Sequence, residues 1–163
     1  GSGCISITIA RQRPLCRLTA TDISAAAMTV ASGNVQKLEV ADRVLLKAGD
    51  CLEPLLNTQE RFDGLVSNPP YIRDDERDSL QPEISAHEPA EALFAGLDGL
   101  DVVRKIIQQA PVVLRPGAFL ALELDPSQCS QVAGMLSDCG FTDVRIHQDM
   151  AGLDRIVEAT FHG

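Results

Sequence analysis

The chain has 163 residues, 45% of them hydrophobic, which predicts one domain large enough to bury its own core. Its 14 basic and 23 acidic side chains leave a net charge of −9, which argues against a non-specific DNA-binding surface, because phosphate binding needs Lys and Arg to displace counterions. No apolar run approaches the ~18 residues of a membrane-spanning helix, no basic stretch with an apolar core opens the chain, and the five scattered cysteines hold no C-x-x-C pair; the expectation is no membrane span, leader, disulfide framework or zinc site, and a reducing cytoplasm.

In chain order, residues 4–11 read as a short helix entered from the turn Gly1-Ser2-Gly3. Residues 17–21 read as a strand ending at Asp22, and Ser24 as the cap of a helix reaching residue 36. Residues 43–48 predict a second strand, ending at Gly49-Asp50, and residues 62–67 a buried one leading into Asn68-Pro69-Pro70-Tyr71. Residues 74–91 are charged and hold Pro82 and Pro89, so they read as a long loop with a helical turn. Residues 101–114 predict a helix whose last turn Pro111 disturbs, 118–124 a strand, and 127–138 a helix stopped by Cys139-Gly140. Residues 142–147 and 155–161 are the last strands, with only 148–154 between them, which predicts an antiparallel hairpin.

This alternation predicts an α/β fold, a mostly parallel doubly wound sheet with helices on both faces and an antiparallel hairpin at one edge, the Rossmann-like plan of class I methyltransferases. Such a plan sets a central strand before the turn that here begins at Gly1. Residues 1–163 are therefore expected to be an N-terminally truncated catalytic domain lacking that strand. The alternative is that Gly1-Ser2 is an expression scar.

A nucleotide-binding α/β site needs a glycine turn, a helix start and an acid about 20 residues on. Gly1 and Gly3 supply the turn, and Asp22 can accept from both ribose hydroxyls; a helix N-terminal acid is its structural alternative. Asp50 ends the next strand and can accept from an adenine amino group, with Cys51 and Leu52 as an apolar wall; a plain loop Asp is its alternative. The other four cysteines are expected to be small buried hydrophobes.

The strongest signal is Asn68-Pro69-Pro70-Tyr71. Two prolines fix φ twice and remove two donors, leaving carbonyls free to accept. The Asn68 side-chain oxygen and the Pro69 carbonyl can bind the two hydrogens of a planar amide or exocyclic amine, and Tyr71 supplies a flat wall. Such a nitrogen is a poor nucleophile, and orientation toward an electrophilic methyl group with preorganised electrostatics is the help it needs. A rigid turn without chemistry is the alternative.

These residues resemble the amino methyltransferases that use S-adenosylmethionine. The wider context is similar to the protein-(glutamine-N5) methyltransferases of the HemK/PrmC family, which act on peptide chain release factors. The stretches carrying the resemblance are GSGCISITIA, TDIS from Thr21, GDCLEPL from Gly49, FDGLVSNPPYI, EPAEALFAGLDGL from Glu88, LRPGAFLALEL from Leu114 and DMAGLDRIVEA from Asp149. The resemblance implies that Gly1, Gly3, Asp22, Ile23, Asp50, Cys51 and Asn68 bind S-adenosylmethionine. It implies that Asn68, Pro69, Pro70 and Tyr71 hold the glutamine of a GGQ motif, with Asn68, Pro69 and Tyr71 as the catalytic set. It also implies an upstream helical substrate-binding domain. Pro116-Gly117-Ala118 and Leu124-Asp125 depart from the family pattern.

His87, Glu88 and His147 read as a loop residue, a buttress and a strand-edge residue, and Arg155 as an ion-pair partner of Asp149 or Asp154. The run 73–78 reads either as a solvated face or as an entrance for a polypeptide. The expected partner is a release factor, with no direct nucleic-acid binding, no membrane, no metal and a monomeric state. Two further functions stay open: methylation of adenine N6 or another nucleic-acid amine by the same corner, and a non-catalytic Rossmann-like binding module. The negative charge and single tyrosine weigh against the first of these.

Overall fold

The computed structural model describes residues 1–79 and 90–163, and the chain divides into two units, Gly1–Thr58 and Gln59–Gly163. The first holds α1 (Cys4–Gln12), β1 (Leu18–Asp22), α2 (Ala25–Lys37), β2 (Val44–Ala48) and a single turn, α3 (Glu53–Leu56). β1 and β2 pair in parallel, Leu18 opposite Val44 and Asp22 opposite Ala48. α2 starts as the sequence predicts, because the Ser24 hydroxyl accepts from the Ala27 amide at 3.2 Å. Ile7 and Ala10, one turn apart on α1, pack with Val35, Val40 and Val44 into a small core, flanked by Leu18 and Leu46.

The second unit holds β3 (Phe62–Ser67), a 3₁₀ turn (Asp74–Ser79), α4 (Ala90–Leu93), α5 (Asp101–Val113), β4 (Leu114–Glu123), α6 (Cys129–Asp138), β5 (Phe141–Gln148) and β6 (Asp154–Phe161). Its sheet has the order β3-β4-β6-β5. β3 and β4 are parallel, and β6 is antiparallel to both β4 and β5, giving the expected hairpin. Val103, Ile106, Ile107, Ala110 and Val113 form the buried stripe of α5 at helical spacing. Leu120, Leu122 and Leu124 are fully buried. Gly64 sits opposite Phe119, and a Cβ on Gly64 would lie 2.2 Å from the Phe119 ring, so the ring occupies the space a side chain would take.

Several boundaries differ from expectation. β4 begins at Leu114, not residue 118, because Leu114 still pairs with Phe62 before the ladder resumes at Gly64 and Phe119. Pro116 cannot donate and Gly117 has φ of 84°, so the intervening residues bulge out of register without ending the strand. α6 starts at Cys129, two residues late, because Asp125 holds Ser127 in a turn through its amide at 2.9 Å and its hydroxyl at 2.6 Å. Pro111 does not break α5, which runs two residues past it. The cysteine expectation fails in part: Cys129 is buried, but Cys4 and Cys139 are exposed and Cys16 is half-buried. Among the described residues no helix is long and apolar enough to cross a membrane, and no cluster of potential metal ligands occurs.

Candidate cofactor and acceptor sites

In the first unit, Gly3 caps α1 with φ of 79°, a left-handed conformation in which an L side chain is strained. A Cβ there would also press on Ile7 Cδ1 at 3.2 Å and Ala31 Cβ at 3.3 Å. The Asn34 amide donates to the Ser2 carbonyl at 3.0 Å and holds the turn against α2. The Gly1 amino group donates to Asp22 Oδ2, and the Ser24 amide donates to Asp22 Oδ1 at 2.8 Å. Asp22 thus accepts at the start of α2, as a helix N-terminal acid would. It uses one acceptor position on each oxygen and keeps others for a ligand.

The parallel register places the next strand end beside it. The Gly49 amide donates to the Asp22 carbonyl at 2.9 Å, and the Thr21 hydroxyl donates to the Cys51 carbonyl at 2.6 Å. Cys51 itself has φ of 49°, unusual for a residue with a side chain. The chain therefore bends sharply at residues 49–51, with Asp50 in the bend. Leu52 is nearly buried, and Ile23, between β1 and α2, is exposed. Gly1, Asp22, Asp50 and Cys51 lie around one pair of strand ends. This donor and acceptor set fits a nucleoside: a carboxylate for a diol, polar backbone at a bend and an apolar wall.

In the second unit, Ser67 lies opposite Leu122, so Asn68 leaves the sheet at the same end as Glu123. Asn68 is exposed, Pro69 buried, and Pro70 and Tyr71 half-buried. All peptide bonds are trans. The Asn68 carboxamide forms no hydrogen bond to another described residue, and no described donor reaches the Pro69 carbonyl. Downstream, the Ile72 amide donates to the Leu93 carbonyl at 2.9 Å, and the Ala95 amide donates to the Ile72 carbonyl at 2.9 Å.

The sequence reading missed Gln128. This residue is 7% exposed, and its Nε2 donates to the carbonyls of Tyr71 at 3.0 Å, Asp98 at 3.2 Å and Gly99 at 3.4 Å. Its Oε1 is buried with no partner among the described residues, a defect that costs about 1–3 kcal/mol. Gly99, with φ of 72°, makes the approach possible, since a Cβ would stand 2.2 Å from the Tyr71 carbonyl oxygen. The Asp98 carboxylate holds the same loop, accepting from the Leu100 amide at 3.2 Å and from Arg104 Nη1 at 2.9 Å. That Arg104 hydrogen bond, with the Leu100 amide behind it, pulls the Asp98 carboxyl below its ordinary value.

The other candidates stay apart. Arg73 pairs with Asp75 at 3.1 Å and Glu76 at 3.6 Å. His147 Nε2 lies 2.8 Å from Glu158 on the hairpin. Arg155 Nε donates to Asp149 Oδ2 at 3.4 Å, while Asp149 Oδ1 accepts from the Ala151 and Leu153 amides at 2.8 and 3.0 Å, a turn-holding role. His87 and Glu88 lie outside the described residues.

The parallel strand pairs, the glycine turn, the acid at a strand end and the reversed strand of the hairpin define a class I, Rossmann-like methyltransferase fold. The solved structure of ribosomal protein L11 methylase from Lactobacillus delbrueckii subsp. bulgaricus shares it, with a TM-score of 0.65 at 19% identity over 100% of this chain and 66% of that one. Residues 1–96 match the methyltransferase small domain family, and the chain belongs to that family. A release factor glutamine methyltransferase from Clostridium acetobutylicum is 39% identical over all of this chain and 57% of its own length. One of the same name from Cereibacter sphaeroides is 43% identical over 98% of this chain and 56% of its own. These relatives carry the name to which the sequence motifs pointed. The chain spans a little over half their length.

Proposed function

We propose that the protein containing this chain methylates the side-chain amide nitrogen of a glutamine, that of the GGQ motif in a peptide chain release factor, with S-adenosylmethionine as donor. The observation that carries this reading is the corner at residues 68–71: an exposed carboxamide without a hydrogen-bond partner among the described residues, beside a proline carbonyl that no described donor takes. The names of the relatives support the same acceptor.

Gly1, Gly3, Asp22, Ile23, Asp50 and Cys51 would hold the cofactor, whose sulfonium supplies an electrophilic methyl group. The Asn68 Oδ1 and the Pro69 carbonyl accept the two N–H hydrogens of the glutamine amide and turn its face toward that carbon. Tyr71 packs against the flat amide. When bound, the cofactor would supply that methyl group to the glutamine nitrogen, its sulfur keeping the electron pair of the broken bond. The two acceptors stabilise the positive charge developing on nitrogen, and the extra proton leaves to water afterwards. Most of the rate gain comes from orientation, so no strong base is needed.

The reading places the reaction in the cytoplasm and includes a strand before Gly1 and a helical domain before that. Among the described residues β1 pairs with β2 alone, which leaves one edge for such a strand. The test is incubation of the full-length protein with labelled cofactor and either release factor or DNA. Label on the GGQ glutamine, lost in Asn68→Ala, is the expected result. Label on DNA, or full transfer by Asn68→Ala, overturns the reading.

A further inference from the structure

The peptide unit that joins Tyr71 to Ile72 is gripped at both ends. Its carbonyl accepts from Gln128 at 3.0 Å, and its amide donates to Leu93 at 2.9 Å. Such a plane cannot rotate, so ψ of Tyr71 is fixed, and with it the direction in which the ring leaves the backbone. Upstream, the rings of Pro69 and Pro70 fix φ at two successive positions. The corner is thus stiffened by proline on one side and by Gln128 with Leu93 on the other.

The orientation of the Gln128 carboxamide is forced. Three carbonyl oxygens surround one of its two terminal atoms, so that atom must be the donor nitrogen. Its oxygen is consequently left buried without a partner among the described residues. An ordinary buried glutamine satisfies both ends. Here the donor end takes precedence, and all three carbonyls lie at Tyr71 and in the adjoining loop at Asp98-Gly99. Gly99, lacking a side chain, lets the two segments close to this distance.

We propose that Gln128 is a positioning residue for the acceptor amide: by holding the Tyr71 carbonyl it sets the aromatic wall and the proline carbonyl of the corner in their working orientation. This rests on the acceptor reading above. It also assigns the departure at Asp125 a role, since its Oδ1 accepts from the Ser127 amide at 2.9 Å and the Ser127 hydroxyl at 2.6 Å and so holds the turn that presents Gln128.

The test uses the full-length enzyme carrying Gln128→Met or Gln128→Glu, each with a fluorinated tyrosine at position 71 as a reporter. Thermal melting first establishes which variant is folded at assay temperature, and the folded one carries the test. Gln128→Met keeps the volume and removes the donors. It should lower kcat roughly 10- to 100-fold, the scale of a misplaced reacting group, leave cofactor affinity within about twofold, and move the fluorine resonance. Gln128→Glu sets a carboxyl among three carbonyls, where burial favours its protonated form. Its kcat should recover several-fold as the pH is lowered from about 8 to about 6, because the protonated acid regains one donor; Gln128→Met should show no such recovery. Unchanged kcat, or an unmoved resonance, in a folded variant overturns the proposal. Should the unmodified enzyme leave release-factor glutamine unlabelled while the resonance moves, the acceptor reading fails and the lock on Tyr71 stands.

Discussion

The two units hold their functional groups by different means. In the first, backbone does most of the work: a left-handed Gly3, a left-handed Cys51 and the carbonyl of Asp22 fix the bends, and the Asn34 amide ties the turn to α2. Its sheet has two strands and its core is small. In the second, a four-stranded sheet and a stripe of fully buried side chains carry a stiff corner, fixed by proline rings and by one buried glutamine. A bend made by backbone suits a ligand of constant shape. A corner whose acceptors take no described donor suits a reacting group that must be oriented.

If that contrast is right, substitutions should separate the two tasks. Asn68→Ala should have the largest effect, lowering kcat/KM for release-factor methylation by roughly 10²- to 10³-fold, the size seen when a preorganised polar group is removed. Asp22→Ala should instead raise the dissociation constant for cofactor by about tenfold, equivalent to ~1.4 kcal/mol; titration calorimetry of both variants checks the separation. If Asn68→Ala fails only in cofactor binding, the division between the units is wrong.

Gly64→Ala should destabilise the second unit by about 1–3 kcal/mol through overpacking against Phe119, read as a lowered melting temperature without loss of cofactor affinity. The smallest mutational effect should be that of Ser24→Ala in the first unit, about 1 kcal/mol for a lost helix cap, visible in denaturant midpoints.

A pH series sharpens the comparison further. The Asp98 carboxyl is held below its ordinary value of 3.8 by Arg104, so its contribution to stability is present above that value. It disappears as pH falls through the lower folded-state value. Since the pair is partly exposed, the effect is small and screened by salt. The melting temperature of the parent should fall more steeply below about pH 4 than that of Asp98→Asn.

Much of this was legible in the residues. β3 ends where Asn68-Pro69 forbids further pairing, and α2 starts where Ser24 can cap it, because both signals act within a few residues. The start of β4 differs because residues 115–117 leave the ladder, whereas Leu114 before them already pairs with Phe62. Gln128 carried no local signal: the carbonyls it holds lie 29, 30 and 57 residues away in sequence, and only the folded chain brings them within reach. Burial of the cysteines was equally a tertiary matter, decided by what packs over each position rather than by its neighbours in sequence.

The Phe119 ring seated over Gly64 acts as a peg in a ratchet. It matches one notch on β3 to one tooth on β4 and so counts residues along the pair. Were the strands to slide by a single step, the ring would strike a side chain instead of a gap, and the mouth of the sheet would present serine or proline where asparagine now emerges. Identity at this end of the strand is thereby dictated four residues upstream, by an empty position.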